Sequence, residues 1–250
     1  MIDTKPGSRA AGLKVESTKF GGALALQAQA LFSSKMRRVA TVVWVLLACL
    51  WLTSCGSDSG VPAEVRALVE LDTGIELEDA SNFQRAHNSY NAAIDLDPGL
   101  AEAYARRGNS FLRFEKMSPA MADLNMAIEL DPELAIAYLY RGVFMATVQR
   151  PGEASLAFSK SIELDPSNVE TYLQRSRFYV EQSEPDSGLA DLDSAIALDA
   201  EAVDVYMERA ALHLRIGNTA NAAADFEQVL AMSQNEEQVQ VARQMLAIIR

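Results

Sequence analysis

A five-residue motif returns every 34 residues through most of this chain. It reads IDLDP at 94–98, IELDP at 128–132, IELDP at 162–166 and IALDA at 196–200. A fixed period of this length marks repeat architectures, in which each repeat is one supersecondary unit. A unit of this size cannot bury its apolar side alone, so we expect similar units to stack in a row.

Small and large residues recur at fixed positions, which we number as columns 1 to 34 from Ala67, Ala101, Ala135, Val169 and Val203. Columns 4, 8 and 11 are three or four residues apart, as are columns 20, 24 and 27, so each set lies on one side of a helix. Small residues at columns 8, 20 and 27 would let two helices approach closely. Column 20 holds Ala86, Ala120, Ala154, Gly188 and Ala222.

An Asp-Pro pair at columns 31 and 32 of the first three repeats predicts the boundary between units. Proline disfavours helix in the residue before it and is well suited to the first position of a helix. We therefore expect Asp97, Asp131 and Asp165 to cap the first helix of the following repeat.

These columns resemble the tetratricopeptide repeat (TPR), a helix–turn–helix unit of 34 residues. The resemblance implies an all-α fold, a right-handed superhelical solenoid of about five repeats within a domain at 63–250. The repeats are 67–100, 101–134, 135–168, 169–202 and 203–236, followed by a capping helix at 237–250. Glu70 departs from the family pattern, because the other repeats have tyrosine at column 4.

Residues 36–54 read MRRVATVVWVLLACLWLTS and are followed by Cys55. The apolar core at 39–52 is shorter than the roughly 20 residues that span a bilayer, but it fits a signal peptide. Leu-Thr-Ser-Cys at 52–55 resembles the bacterial lipoprotein signal. That resemblance implies that Cys55 carries a lipid and becomes the first residue, with 55–62 as a flexible tether.

Residues 1–35 precede this signal and show no sustained apolar period. Met36 lies directly before two arginines, where an initiator belongs, so we interpret 1–35 as disordered sequence upstream of a mis-assigned start. Two alternatives stay open, a cytoplasmic tail before a short membrane anchor and a transit peptide.

Acidic residues dominate the part of the chain that follows the signal. The whole sequence has 22 Lys and Arg against 34 Asp and Glu, a net charge of −12. Seven of the basic and two of the acidic residues precede Cys55, which leaves 15 against 32 and a net charge of −17. Such a surface repels the phosphates of nucleic acid and anionic lipids, so we expect no nucleic-acid partner.

Residues suited to catalysis or cofactor binding are scarce. His213 occupies column 11, where it is expected to fill the core, and His87 is expected to be a partly buried side chain. The two cysteines, Cys49 and Cys55, both precede the repeats. No metal-ligand spacing, phosphate loop or nucleophile elbow is present. The sequence therefore predicts a non-enzymatic protein with no cofactor, metal or small-molecule substrate.

Arginine recurs at column 7, and aspartate recurs at column 23 in three of the same repeats. The arginines are Arg107, Arg141, Arg175 and Arg209, and the aspartates are Asp123, Asp191 and Asp225. This recurrence predicts an ion pair between the two helices of a repeat; the alternative is a ladder of arginines for an acidic ligand. Ala157 occupies column 23 of repeat 3, so Arg141 is expected to lack that partner.

The family resemblance also implies an inner face lined by the first helix of each repeat, at columns 2, 5, 6, 9, 12 and 13. The candidate groove residues are Arg106, Asn109, Arg113, Leu139, Tyr140, Val143, Leu173, Gln174, Arg177, Met207 and Arg215. Tyrosine and arginine are common anchors at interfaces. Members that clamp a C-terminal carboxylate use Lys and Asn at columns 5 and 9, whereas column 5 is apolar here, so that function is not expected.

Taken together, these resemblances imply a membrane-anchored scaffold or adaptor of the bacterial cell envelope. Its lipid would be attached to Cys55, its repeats would lie outside the cytoplasm, and its groove would bind a segment of an unidentified protein or peptide partner. The alternative is a structural envelope protein that associates with copies of itself.

Overall fold

The computed structural model describes residues 61–249. The expectations for residues 1–35, for the signal at 36–54 and for Cys55 concern residues outside that range. Pro62–Arg250 forms one compact unit of the chain. No helix in the described part is long and apolar enough to cross a membrane.

Eleven α-helices and no strand occupy residues 61–249. They are α1 Ala63–Asp79, α2 Phe83–Leu96, α3 Ala101–Arg113, α4 Met117–Leu130, α5 Ala135–Thr147, α6 Pro151–Leu164, α7 Val169–Glu181, α8 Pro185–Leu198, α9 Val203–Arg215, α10 Thr219–Met232 and α11 Glu236–Ile249. The first ten form five consecutive pairs. Within each pair the helices pack together, and the second helix of each pair contacts the helix that follows. The expected all-α solenoid with an additional C-terminal helix is confirmed.

Glycine and alanine form the contact between the two helices of a repeat. In repeat 3 a Cβ atom on Gly142 would lie 2.7 Å from two ring atoms of Phe158. Ala154, one turn earlier on the same helix as Phe158, has no exposed surface. The Phe158 ring lies 5.7 Å from the ring of Phe178 in the next repeat, so the same side chain joins neighbouring repeats. The small residues are therefore required by close helix packing.

The turn inside each repeat places its column 15 residue at positive φ. Four of these residues are not glycine, with φ between 56° and 64°, and Gly217 has φ of 83°. The next backbone N–H donates to the carbonyl five residues earlier, as from Arg150 to Met145 at 2.8 Å. This Schellman arrangement ends the first helix. The sequence did not reveal it, because the other residues are Ser81, Glu115, Gln149 and Ser183.

The capping role expected for the Asp-Pro aspartates is wrong. The first helices begin at columns 1, four residues after these aspartates, and the residue before each helix is Leu100, Leu134 or Asn168. The aspartates instead close the turn between repeats by accepting a backbone N–H from two residues further on. Those bonds are 2.9 Å at Asp97, 2.9 Å at Asp131 and 3.0 Å at Asp165. An Asp side chain favours this local turn bond, and it competes with the capping geometry.

The Arg–Asp pairs expected at columns 7 and 23 are confirmed. Arg175 donates from Nε and Nη2 to the two oxygens of Asp191 at 2.8 and 2.6 Å. The pairs Arg107–Asp123 and Arg209–Asp225 have the same two-bond geometry. The hydrogen bonds that Arg175 donates to Asp191 raise the pKa of Arg175 above its usual value. Two parallel bonds between a guanidinium and a carboxylate hold the two helices of repeats 2, 4 and 5 in register.

The two histidines lie within the packing of the repeats. His213 is buried, and its Nδ1 is the one buried side-chain polar atom without a hydrogen-bond partner among residues 61–249. The Nδ1 atom of His87 lies 3.0 Å from the hydroxyl of Ser110. Burial, together with Arg107 nearby, lowers the pKa of His87, so its ring is neutral at pH 7.

Candidate peptide-binding groove

In repeats 2 to 4 the first helices of neighbouring repeats lie closer together than the second helices. Helix α3 packs on α5, and α5 packs on α7, whereas no two second helices in the described range pack to this extent. The row of repeats therefore bends towards its first helices. The columns of these helices that face away from the second helices line the concave side of the bend, which we call the inner face. Curved inner faces of this kind are the extended binding surfaces of solenoid proteins.

Four of the predicted groove residues are buried. Leu139 is 1% exposed and Leu173 is 7% exposed, so both side chains belong to the core and not to an apolar floor that a ligand could reach. Arg106 and Asn109 are 7% and 9% exposed. In repeats 2 to 4 column 5, which holds Ala105, Leu139 and Leu173, therefore belongs to the core.

The other seven predicted residues keep solvent access. Tyr140, Val143, Gln174 and Met207 are partly buried, and Arg113, Arg177 and Arg215 are exposed. The accessible set combines apolar, aromatic and cationic groups along α3, α5, α7 and α9. A ligand on this face would contact columns 6, 9 and 13 more than column 5.

Glu78 is the centre of a polar cluster on the inner face of repeats 1 and 2. Its carboxylate accepts hydrogen bonds from Tyr90 at 2.8 Å and from Asn109 at 3.2 Å. It also lies 3.6 Å from Nη1 of Arg106 and 3.9 Å from Nε of Arg113. The cluster fixes α1 and α2 against α3. The carboxylate of Glu78 also balances the positive charges of Arg106 and Arg113 on the inner face.

The sequence analysis did not single out Glu78, although a signal for it was present. Glu78 occupies column 12 of repeat 1, one of the columns that the family resemblance places on the inner face. Its contacts reach residues 28 to 35 positions later in the chain. A pattern within one repeat cannot show pairings between repeats.

Tyr140 lies beside Arg106 on the inner face. Burial is the main cause that raises the pKa of Tyr140, and the charge of Glu78 adds to it. Its hydroxyl therefore stays protonated at any physiological pH. Tyr140 packs, like the partly buried Ile136, against the buried cluster that includes Leu139 and Phe158.

A crevice of about 140 Å³ opens on the same face between α7 and α9. Arg177 and Arg215 line it together with Leu212 and Val180. Arg177 donates to Glu208 at 2.7 Å, and Arg215 donates to the backbone carbonyl of Val180 at 3.1 Å. The crevice therefore has apolar walls with charged groups at its edge.

Most inner-face arginines already have a carboxylate partner within the domain. Arg106 and Arg113 contact Glu78, and Arg177 contacts Glu208. Arg215 forms no ion pair with any residue of 61–249. A carboxylate of a ligand would have to compete with Glu78 or Glu208 for Arg106, Arg113 and Arg177, but it would meet no competing carboxylate at Arg215.

Among residues 61–249 no three His, Cys, Asp or Glu side chains are grouped so that they could hold a metal ion.

Two family models match the sequence, at residues 71–135 and at residues 174–247, and both describe the tetratricopeptide repeat. The chain belongs to the tetratricopeptide repeat family. TPR domains are in general interaction modules without catalytic activity. No curated protein sequence matches this chain.

Solved TPR structures share the fold. A thermophilic TPR protein from Thermus thermophilus aligns with a TM-score of 0.64 and 19% identity, over 72% of this chain and 99% of its own. The pilF protein of Pseudomonas aeruginosa aligns with a TM-score of 0.58 and 16% identity, over 75% and 90%. PilW, a widely conserved type IV pilus biogenesis factor, aligns with a TM-score of 0.58 and 17% identity, over 73% and 90%. At these identities the similarity is one of fold.

Proposed function

We propose that this TPR protein is a lipid-anchored, non-enzymatic scaffold of the bacterial cell envelope, which binds a segment of a partner protein on its inner face. The observation that carries the proposal is the composition of that face. Tyr140, Val143 and Met207 keep partial solvent access there, and Arg215, two repeats after Tyr140 on the same face, is exposed. Apolar and aromatic groups edged by charges are typical of interaction sites.

The lipid anchor is inferred from the sequence that precedes the repeats. The short apolar core at 39–52, the two arginines before it and the Leu-Thr-Ser-Cys box suit export and lipid attachment at Cys55. The strongly negative charge of the following domain works against packing between copies, so we favour a scaffold over a self-associating protein.

The bound segment is expected to be extended or helical, with an apolar side chain against Tyr140 and a carboxylate near Arg215. Arg106 is a poor place to test the charge, because it is buried between Glu78 and Glu102 and its replacement would disturb folding. Arg215 is exposed and has a backbone carbonyl as its partner, so it is a better position for charge reversal.

Tyr140→Ala is expected to weaken partner binding by about 2 kcal/mol, roughly 30-fold, because an aromatic anchor is lost. Affinity is measured by titrating a partner, captured from membrane extract and identified, against residues 61–250. Tyr172→Ala is the matched control, since Tyr172 bonds to the carbonyl of Pro166 in a turn between repeats. Equal affinity of both variants, with helix content retained, would remove the inner face as the binding site. Arg215→Glu should weaken binding further and reduce its salt dependence.

The mature protein is expected to contain no tryptophan, because Trp44 and Trp51 both precede Cys55. All seven tyrosines follow Cys55. Protein extracted from its native membrane should therefore show tyrosine emission alone, and Cys55→Ala should abolish labelling by a radioactive fatty acid. Tryptophan emission from the extracted protein would contradict cleavage before Cys55 and would favour an uncleaved anchor.

A further inference from the structure

One of the four column 7 arginines has no partner in the repeat domain. Arg107, Arg175 and Arg209 each make two hydrogen bonds to the column 23 aspartate. Arg141 makes no ion pair and no side-chain hydrogen bond with any residue of 61–249. It is partly buried, so its guanidinium has lost some water without gaining a carboxylate.

The paired arginines show where the missing carboxylate belongs. Each of them faces column 23 of its own repeat, and Arg107 and Arg209 also bond to column 25 of the preceding repeat. For Arg141 these two positions are Ala157 on α6 and Asn125 on α4. Ala157 offers only a methyl group, and Asn125 is exposed.

The carboxylate also holds the guanidinium over a tyrosine ring. Arg107 and Arg209 lie 5.4 and 5.5 Å from the ring centres of the tyrosines at column 4 of their repeats, and Arg175 lies 5.9 Å from its own. Arg141 makes no such contact with Tyr138 or with any other ring in the described range. Within residues 61–249 the guanidinium of Arg141 is therefore held neither by a carboxylate nor by an aromatic ring.

Repeat 3 also has an exposed leucine. Leu156 is 72% exposed on α6, directly before Ala157. The other repeats carry smaller or polar residues at that column, namely Asn88, Ala122, Ala190 and Ala224. Met126, next to Asn125 on α4, is 39% exposed. Repeat 3, which has no aspartate at column 23, thus also carries the most exposed large apolar side chain among residues 61–249.

We propose that Asn125, Met126, Arg141, Leu156 and Ala157 form a second binding surface, the repeat 3 patch, for a polypeptide that presents a carboxylate beside an apolar residue. The Asp or Glu of that polypeptide bonds to the guanidinium of Arg141 as Asp191 bonds to Arg175 in repeat 4, but it approaches from the solvent side, because Ala157 itself is buried. Its apolar neighbour covers Leu156 and Met126. Four of its residues lie on the second helices α4 and α6, and Arg141 lies at column 7 of α5, which is not one of the inner-face columns, so the patch is separate from the inner face.

The net charge of this chain limits which polypeptides can bind to the repeat 3 patch. The chain from Cys55 onwards carries a net charge of −17, which repels an acidic protein and also a second copy of this chain. The partner segment therefore presents an isolated carboxylate within neutral or basic surroundings. A bidentate contact with Arg141 then gives geometric specificity, as in the three internal pairs.

The test uses the full chain in detergent and defined peptides. Four fluorescent dodecapeptides of Ala, Gln and Lys each carry one Asp and one Leu, separated by one, two, three or four positions. We expect at least one of them to bind more tightly than about 1 mM. Replacement of its Asp by Asn should weaken binding at least tenfold, because the bidentate contact is lost.

Two protein variants remove the site in opposite ways. Arg141→Met deletes the cation, whereas Ala157→Asp keeps it and supplies an internal carboxylate like that of the other repeats. Both should weaken peptide binding at least tenfold, while Arg85→Met, a change at an exposed arginine in repeat 1, and Tyr140→Ala should leave it unchanged. Circular dichroism checks that each variant is folded. The proposal is overturned if no peptide binds, or if binding is the same in the Asn peptide, in Arg141→Met or in Ala157→Asp.

Discussion

Arg175→Met is expected to lower the free energy of unfolding by about 3 kcal/mol, because it leaves a buried carboxylate without its cation. Asp191 is 4% exposed and receives both of its charged hydrogen bonds from Arg175. Methionine keeps most of the apolar stem of arginine, so the packing loss is small. Urea unfolding followed by circular dichroism measures the difference.

Arg141→Met is the matched control, since it is the same substitution at the same column of the preceding repeat. Ala157 carries no charge that would be left without a partner, and methionine keeps the apolar stem of the partly buried Arg141, so the change should cost much less than Arg175→Met. Equal losses in both variants would mean that the Arg–Asp pair contributes nothing beyond the arginine stem. A larger loss from Arg141→Met would contradict the assignment of Arg141 as an unpaired residue.

Ala154→Leu is expected to destabilise the domain by about 1–3 kcal/mol, because the two helices of repeat 3 already touch there. Ala154 has no exposed surface, and the neighbouring contact between Gly142 and Phe158 leaves no room for further carbon atoms. The helices would have to separate, which also disturbs the contact of Phe158 with Phe178. The midpoint of thermal unfolding is expected to fall by several degrees.

Ala190→Leu provides the comparison on an exposed column of the second helix of repeat 4. Alanine and leucine have similar helix propensities, so the unfolding midpoint should change little at that position. If Ala154→Leu were as stable as Ala190→Leu, the close contact at column 20 would not exist and the repeat register would be wrong.

The helix pairs could be predicted from the sequence because the same pattern of small and large residues recurs in every repeat. Ala154 and Gly142 belong to columns that are small in all five repeats, and the Arg–Asp pairs recur at a fixed separation. Local turns were harder to predict. The aspartate of Asp-Pro bonds within its own turn, and residues such as Gln149 adopt positive φ although their side chains show no preference for it.

The candidate site was only partly predictable. The family columns indicated the inner face, but burial depends on how two neighbouring repeats fit together, and that placed Leu139 and Leu173 in the core. The ion pairs of Glu78 and Glu208 also join different repeats. Arg141 is the opposite case, since the loss of aspartate at column 23 was visible in the sequence and its unpaired state follows from it.

The central claim is that the inner face binds a partner, and site-specific photocrosslinking in cells that naturally express the chain tests it most directly. A photoreactive phenylalanine replaces Tyr140, which it resembles in size, and in a second variant it replaces Gln228, which is exposed on the second helix of repeat 5. Light should produce one discrete crosslinked species from position 140 and none from position 228. Crosslinking from position 228 with none from position 140 would contradict the account.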